Sequence, residues 1–311
     1  MPALQTGNGN LYLQAGTKQR RVAALGEVLW DLFDHSRRLG GAPLNFAAHA
    51  ARLGHESLLV SAVGNDGLGE EAIAEIQALG LTTAYVQKTS RFPTGVARVH
   101  LGPGDQNRFT IERPAAYDAV GISERDLGQL VSHAPDWLCH GTLFASSAAG
   151  EATLCRISNA LPGAARFYDL NLRPDCWSAP LVTRLMRNAD VVKLNEEELE
   201  VVRKIAHLPG GTEAFCREAA ALFAWRAVCV TLGARGCAIL AQGEYVESRG
   251  HAVEVADTVG AGDAFAAAFL HGLISDWQAA EIAAFANRVG ALVASRHGAI
   301  PEWTLDEAVT L

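Results

Sequence analysis

The chain has 311 residues, 49% of them apolar and 19% charged, with 30 Gly, 11 Pro and a formal net charge of −8. That composition excludes a disordered polymer, and without a three-residue glycine period it excludes collagen as well. The acidic balance excludes a nucleic-acid partner, because phosphate binding needs more than the small basic clusters Lys18, Arg20, Arg21 and Arg37, Arg38.

Residues 1–20, polar and Gly-rich, read as a flexible leader ahead of a single domain over 21–311. VAALGEVLW (22–30) reads as a strand and HSRRLGG (35–41) as a further short one. APLNFAAHAARL (42–53) predicts a helix, with Pro43 in its first turn and Gly54 just past its end. SLLVSAVG (57–64) is a strand, and LGEEAIAEIQAL (68–79) a helix closed by Gly80. Residues 93–113 break the rhythm: two alternating strands around Gly-Pro-Gly-Asp predict a β-hairpin. DWLCHG (136–141), ARFYDLN (165–171), DVVKLN (190–195) and AVCVTLG (227–233) are four more apolar strands. VGAGDAFAAAFLHGLI (259–274) and QAAEIAAFANRVGALVASR (278–296) predict two packed helices. Such alternation implies an α/β fold, a mostly parallel sheet with helices on both faces. Strands over about 31–41 and 93–113 would add a small antiparallel sheet, placed as a lid.

Several chemistries are missing. The six cysteines show no Cys-x-x-Cys pair and no two of the ten histidines lie within five residues, so zinc spacings are absent. There is no Gly-x-x-x-x-Gly-Lys, no Gly-x-Gly-x-x-Gly and, around Ser146-Ser147, no Gly-x-Ser-x-Gly. No apolar run is long enough for a transmembrane helix, so a cytoplasmic protein without a membrane partner is expected.

The informative string is Asp257-Thr258-Val259-Gly260-Ala261-Gly262-Asp263, opening an Ala/Phe-rich helix. The first N–H groups of a helix have no intrahelical partner, and small residues leave them open to a phosphoryl group. The helix dipole adds about half a positive charge there. Asp263 sits among those donors, where a carboxylate can face an attacking hydroxyl. Positioning and charge stabilisation are what phosphoryl transfer requires.

DTVGAGDAFAAAFLHGL resembles the C-terminal signature of the ribokinase-like carbohydrate kinases, the PfkB family. Gly40-Gly41-Ala42-Pro43-Leu44-Asn45-Phe46-Ala47-Ala48 is similar to the family's N-terminal motif, with Asn45 suited to a sugar hydroxyl. The resemblance covers about residues 21–303 and implies a Rossmann-like core with a small β-sheet lid. Asp169-Leu170-Asn171-Leu172-Arg173-Pro174, followed by Trp177, looks like the Asp-x-Asn-x-Arg element of the fructokinase branch, whose Arg reaches sugar and donor. Gly26-Glu27 through Asp31 resembles the first strand, whose Asp holds sugar hydroxyls.

On the nucleotide side, Asn195 and Glu198 match the Asn-x-x-Glu element that organises phosphates and Mg²⁺ through water, while Glu196 and Glu197 read as an acidic first turn. Thr231, Gly233 and Gly236 match the nucleotide loop, and Asn287 the residue near adenine. K⁺ on backbone carbonyls around Asp257 and Val259 also follows from the resemblance.

The resemblance therefore implies ATP-dependent phosphorylation of a sugar's primary hydroxyl, with fructose favoured. Asp263 would be the base, and Gly260, Ala261, Gly262 and Arg173 would stabilise the transferring group. Asp31, Gly41, Asn45, Ala97, Arg113 and Asn171 are the expected sugar contacts. 2-Keto-3-deoxygluconate kinase, for which Arg113 would hold the carboxylate, and ribokinase stand as alternatives. A non-catalytic sugar- or nucleotide-binding regulator is the alternative from another class, and a homodimer through the lid is the expected assembly.

Overall fold

The computed structural model describes residues 18–100 and 108–311. The leader reading of residues 1–17 and the Gly-Pro-Gly-Asp turn at 102–105 therefore lie outside the described residues. Thirteen strands are described: β1 Arg21–Leu25, β2 Leu29–Leu32, β3 Arg37–Gly40, β4 Glu56–Gly64, β5 Val86–Thr89, β6 Gly95–His100, β7 Arg108–Glu112, β8 Trp137–His140, β9 Ala165–Asp169, β10 Val191–Asn195, β11 Ala227–Thr231, β12 Cys237–Ala241 and β13 Glu244–Ser248. The α-helices are α1 Ala42–Arg52, α2 Gly67–Ala78, α3 Glu124–His133, α4 Thr142–Ala145, α5 Ala148–Ala160, α6 Ala179–Arg187, α7 Glu196–Ala206, α8 Thr212–Phe223, α9 Ala261–Ile274, α10 Ala279–Ala294 and α11 Leu305–Thr310.

Nine strands form one sheet in the order β13-β12-β11-β10-β9-β8-β1-β4-β5. All neighbours run parallel except β11–β12 and β12–β13. Successive side chains of a strand point to opposite faces, and here both faces are apolar. Val22, Ala24, Leu59 and Val63 join one core with Phe167, Phe269 and Phe285. Ala23, Leu25, Leu58 and Val60 join the other with Tyr168, Leu185 and Phe215. Helix α9 is buried almost all round from Ala264 to Leu270, and its alanines let it pack closely against α1 and α10. Among the described residues no helix is long and apolar enough to cross a membrane.

The structure corrects two sequence expectations. Residues 22–30 are not one strand: the chain leaves the large sheet after Leu25, and β2 belongs to a second sheet of order β3-β2-β6-β7. That lid sheet is mixed rather than antiparallel, because β2 and β6 run parallel. Periodicity cannot separate two strands joined by a three-residue bend, nor fix which strand lies beside which.

Sheet order also reverses between β8 and β1, from which the chain runs outward in both directions. In parallel sheets the crevice at such a reversal, beyond the carboxyl ends of the strands, is where ligands bind. The lid strand β2 carries Asp31 to that end.

Candidate active site

A cavity of about 590 Å³ opens there, bounded by Glu27, Asp31, Asn45, Ala97, Asn171, Arg173, Lys193, Asn195, Thr231, Gly260, Gly262 and Asp263 among others. Asn45 Nδ2 donates to Asp263 Oδ2 at 2.8 Å, so motifs 218 residues apart in sequence meet in one hydrogen bond.

Two glycines hold these motifs in place. Gly41, the N-cap of α1, has φ 116°, and a Cβ there would lie 2.4 Å from the Glu27 carbonyl oxygen. Gly260, the N-cap of α9, has φ 79°, and its Cβ would lie 2.4 Å from the Ala299 carbonyl oxygen. An L side chain at either position meets fixed backbone.

At the start of α9 the N–H groups of Ala261 and Asp263 close turns onto the carbonyls of Thr258 (3.3 Å) and Gly260 (3.1 Å). Those of Gly260 and Gly262 have no backbone acceptor among the described residues, and both glycines line the cavity. The Lys193 ammonium lies beside them, 3.5 Å from where a Gly262 Cβ would be. Lys193 is buried and donates to both oxygens of Asp169, at 3.1 and 3.0 Å. Burial pulls its pKa down, but Asp169, Glu198 and Asp263 outweigh that and hold the ammonium above its ordinary value.

Three carboxyls face the cavity with raised pKa values. Burial pushes Asp263 up to about 6, helped by Asp169 and opposed by the Asn45 hydrogen bond, Lys193 and Arg173. Burial likewise raises Asp31 to about 6 and Glu27 to about 7, with Arg173 pulling both down. The Arg173 guanidinium makes no hydrogen bond or ion pair among the described residues, and so faces the cavity uncommitted. Asn171, with φ 47°, turns the chain so that both residues reach the site.

Asn195 and Glu198 form a capping box on α7: Asn195 Oδ1 accepts from Glu198 N at 2.8 Å, and Glu198 Oε2 from Asn195 N at 2.9 Å. Glu198 Oε1 takes the N–H of Leu172 at 2.7 Å, fixing the loop that carries Asn171 and Arg173.

The match to known proteins settles the family. A family model described as pfkB family carbohydrate kinase matches residues 14–305. The chain belongs to the pfkB family of carbohydrate kinases. It is 30% identical to the fructokinase of Escherichia coli over 304 residues, covering 90% of this chain and 95% of that protein. The sugar kinase PH1459 of Pyrococcus horikoshii, solved in complex with ATP, aligns with a TM-score of 0.77 at 27% identity over 90% of this chain and 94% of that one. The fructokinase of Vibrio cholerae, solved in its fructose, ADP and calcium ion bound form, gives 0.75 at 26% identity over 91% and 95%.

In this pfkB kinase most of the residues singled out from sequence line the cavity; Ala261, Arg113, Glu198, Gly233, Gly236, Asp257 and Asn287 do not. Arg113 pairs with Asp118 through Nε (3.1 Å) and Nη2 and reaches Ser146 through Nη1, away from the cavity lining. Asn287 Nδ2 donates to Ser248 O, Ser248 Oγ and Arg249 O at 3.2–3.3 Å, and so tethers the end of β13. The Asp257 carboxylate is held by Arg38 from β3, by Val259 N at 3.0 Å and by Gly298 N at 3.1 Å.

Sequence reasoning missed Glu27 and Lys193 as lining residues; Glu197 belongs to the acidic first turn of α7, as read from the sequence, and also borders the cavity. Lys193 did leave a signal: a lysine inside the apolar run DVVKLN needs a buried partner.

Proposed function

We propose that this sugar kinase transfers the γ-phosphoryl group of ATP to the primary hydroxyl of free fructose, giving fructose 6-phosphate. The observation that carries the reading is the convergence of Asp31, Asn45, Ala97, Asn171, Arg173 and Asp263 on one cavity beside the open N-terminus of α9. Arg113, the cation that a keto acid would need, is neutralised by Asp118, which favours a neutral sugar over 2-keto-3-deoxygluconate.

In the proposed step Asp263 accepts the proton of the primary hydroxyl as its oxygen bonds to the γ-phosphorus and the bond to ADP breaks. A carboxyl with a pKa of about 6 is ionised at neutral pH yet basic enough to take that proton. The Gly260 and Gly262 N–H groups, with Ala261 between them, the dipole of α9, Lys193 and Arg173 stabilise the charge of the transferring group. Thr231 lines the cavity and Gly233 has open space beside it, so both would let the nucleotide approach the backbone, while Gly236 lets residues 248–250 pack against the loop that Asn287 tethers.

The donor set fits Mg²⁺ arriving with ATP rather than a resident metal. No cluster of three or more His, Cys, Asp or Glu that could hold an ion occurs among the described residues. Asn195 and Glu198 would meet the hydrated ion through water, since both Glu198 oxygens already accept backbone N–H groups. K⁺ on carbonyls near Asp257 and Val259, and a homodimer through the lid, belong to the same reading. Exchange of K⁺ for tetramethylammonium tests the first and sedimentation at micromolar concentration the second.

A coupled ADP-release screen over fructose, ribose, 2-keto-3-deoxygluconate and adenosine tests the substrate. Fructose is expected to give the highest kcat/KM, and a better result with another acceptor refutes it. Thermal stabilisation by sugar without ADP release from any acceptor would indicate a non-catalytic regulator.

A further inference from the structure

Glu27 lies in the three-residue link between β1 and β2, where the chain passes from the large sheet to the lid. It is 6% exposed and lines the cavity. Burial raises its pKa to about 7, against the backbone N–H groups of Glu27 itself and of Ala42 at the start of α1, which favour the ionised carboxyl. One oxygen, Oε2, is buried with no hydrogen-bond partner among the described residues. A carboxyl oxygen removed from water and left unpaired costs free energy comparable to a lost hydrogen bond or more. Few such atoms occur here, and the cavity holds a second: Asn45 Oδ1, whose amide nitrogen is already given to Asp263. Both are acceptors, and no protein donor reaches either. Arg173 faces the same space without reaching Glu27. A ligand that satisfies this lining must bring several hydroxyl donors, and a sugar does.

We infer that Glu27 is a sugar-binding residue: its Oε2 takes a hydroxyl of the acceptor other than the one transferred to phosphate, and so contributes to the choice of sugar. The inference rests on the reading of this cavity as the sugar site. Because Glu27 sits at the entry to the lid, binding that hydroxyl also ties the sugar to the segment from which β2 and Asp31 extend.

The test pairs variants with substrates. Wild type, Glu27→Gln and Glu27→Ala are assayed by coupled ADP release on the best sugar and on each of its monodeoxy analogues. Glu27→Gln preserves shape and one acceptor oxygen, and is therefore the variant expected to fold; calorimetry checks that it does. At pH 8, where Glu27 is ionised, wild type should lose about ten- to hundredfold in kcat/KM on one particular deoxy analogue, the range for a hydrogen bond to a charged group. In Glu27→Gln that penalty should shrink to under about threefold, expressed in KM more than kcat, while the penalties on the other analogues stay unchanged. A uniform loss on every sugar, or an unchanged pattern of penalties, would assign Glu27 to support of α1 and overturn the proposal. The panel is built on whichever sugar proves best, so failure of the fructose assignment leaves the test intact. Absence of ADP release with every sugar would instead refute the reading of the site.

Discussion

Replacement of Asp263 by Asn separates chemistry from stability. Asn keeps the shape and can still accept from Asn45 Nδ2, so the contact between α1 and α9 survives. It cannot take a proton, and removal of a general base costs about 10²–10⁴-fold in rate. The same change removes a charge that folding disfavours. The Asp263 pKa rises on folding from 3.8 to about 6, so the ionised form destabilises the native state above pH 6. At 1.36 kcal/mol per unit that is about 3 kcal/mol at most, and about 1–3 kcal/mol after discounting for partial exposure. The destabilisation is fully present above the folded value, falls to about half near pH 5 and vanishes below 3.8, where both states are protonated. Asp263→Asn should therefore melt about 2–5 °C higher than wild type at pH 8, with the gap closing towards pH 4. Coupled ADP release and calorimetric melts over pH 4–8 read both effects. Retention of more than about a tenth of kcat would refute the base assignment. A lower Tm at pH 8 would refute the burial argument.

Three further outcomes follow from the same geometry. Wild-type kcat/KM should fall on the acid side with an apparent pKa near 6; Asp31 and Glu27 titrate in neighbouring ranges, so a limb persisting in Asp263→Asn belongs to one of them, and its loss in Glu27→Gln or Asp31→Asn says which. Lys193→Met leaves Asp169 buried without its cation, which should cost about 3–5 kcal/mol in denaturant unfolding and at least tenfold in kcat/KM for ATP; wild-type ATP kinetics would show that Lys193 only supports the fold. Arg113→Ala should lower Tm, because Asp118 loses its partner, while changing the KM for sugar by less than about twofold; a large KM effect would return Arg113 to the sugar site.

The sequence showed the site well because phosphoryl transfer leans on backbone. Glycines at 41 and 260, where a side chain meets fixed carbonyls, and a carboxylate at a helix start are local requirements, and local requirements survive as short strings. The lid was visible as a break in rhythm, but its strand pairing was not, since alternation records exposure rather than neighbours. Strand β5 and the antiparallel edge pair β12 and β13 were passed over for the same reason. Glu198 shows the limit from the other side. Its spacing from Asn195 suits a hydrated ion and a capping box equally; the fold forms the cap, and the string alone could not show that both Glu198 oxygens would be held by backbone N–H groups.

The sequence alone thus determined the alternation of strands and helices, the two glycine-bounded motifs and the carboxylate at 263, each an encoding within a few residues. Tertiary structure decided what depends on distant partners. It joined Asn45 to Asp263, paired Arg113 with Asp118 and Asn287 with the end of β13, left Arg173 without a hydrogen bond among the described residues and set Lys193 against Asp169 beside Gly262. Which donor meets which acceptor is a property of packing, and a pair 218 positions apart in sequence leaves no local trace of it.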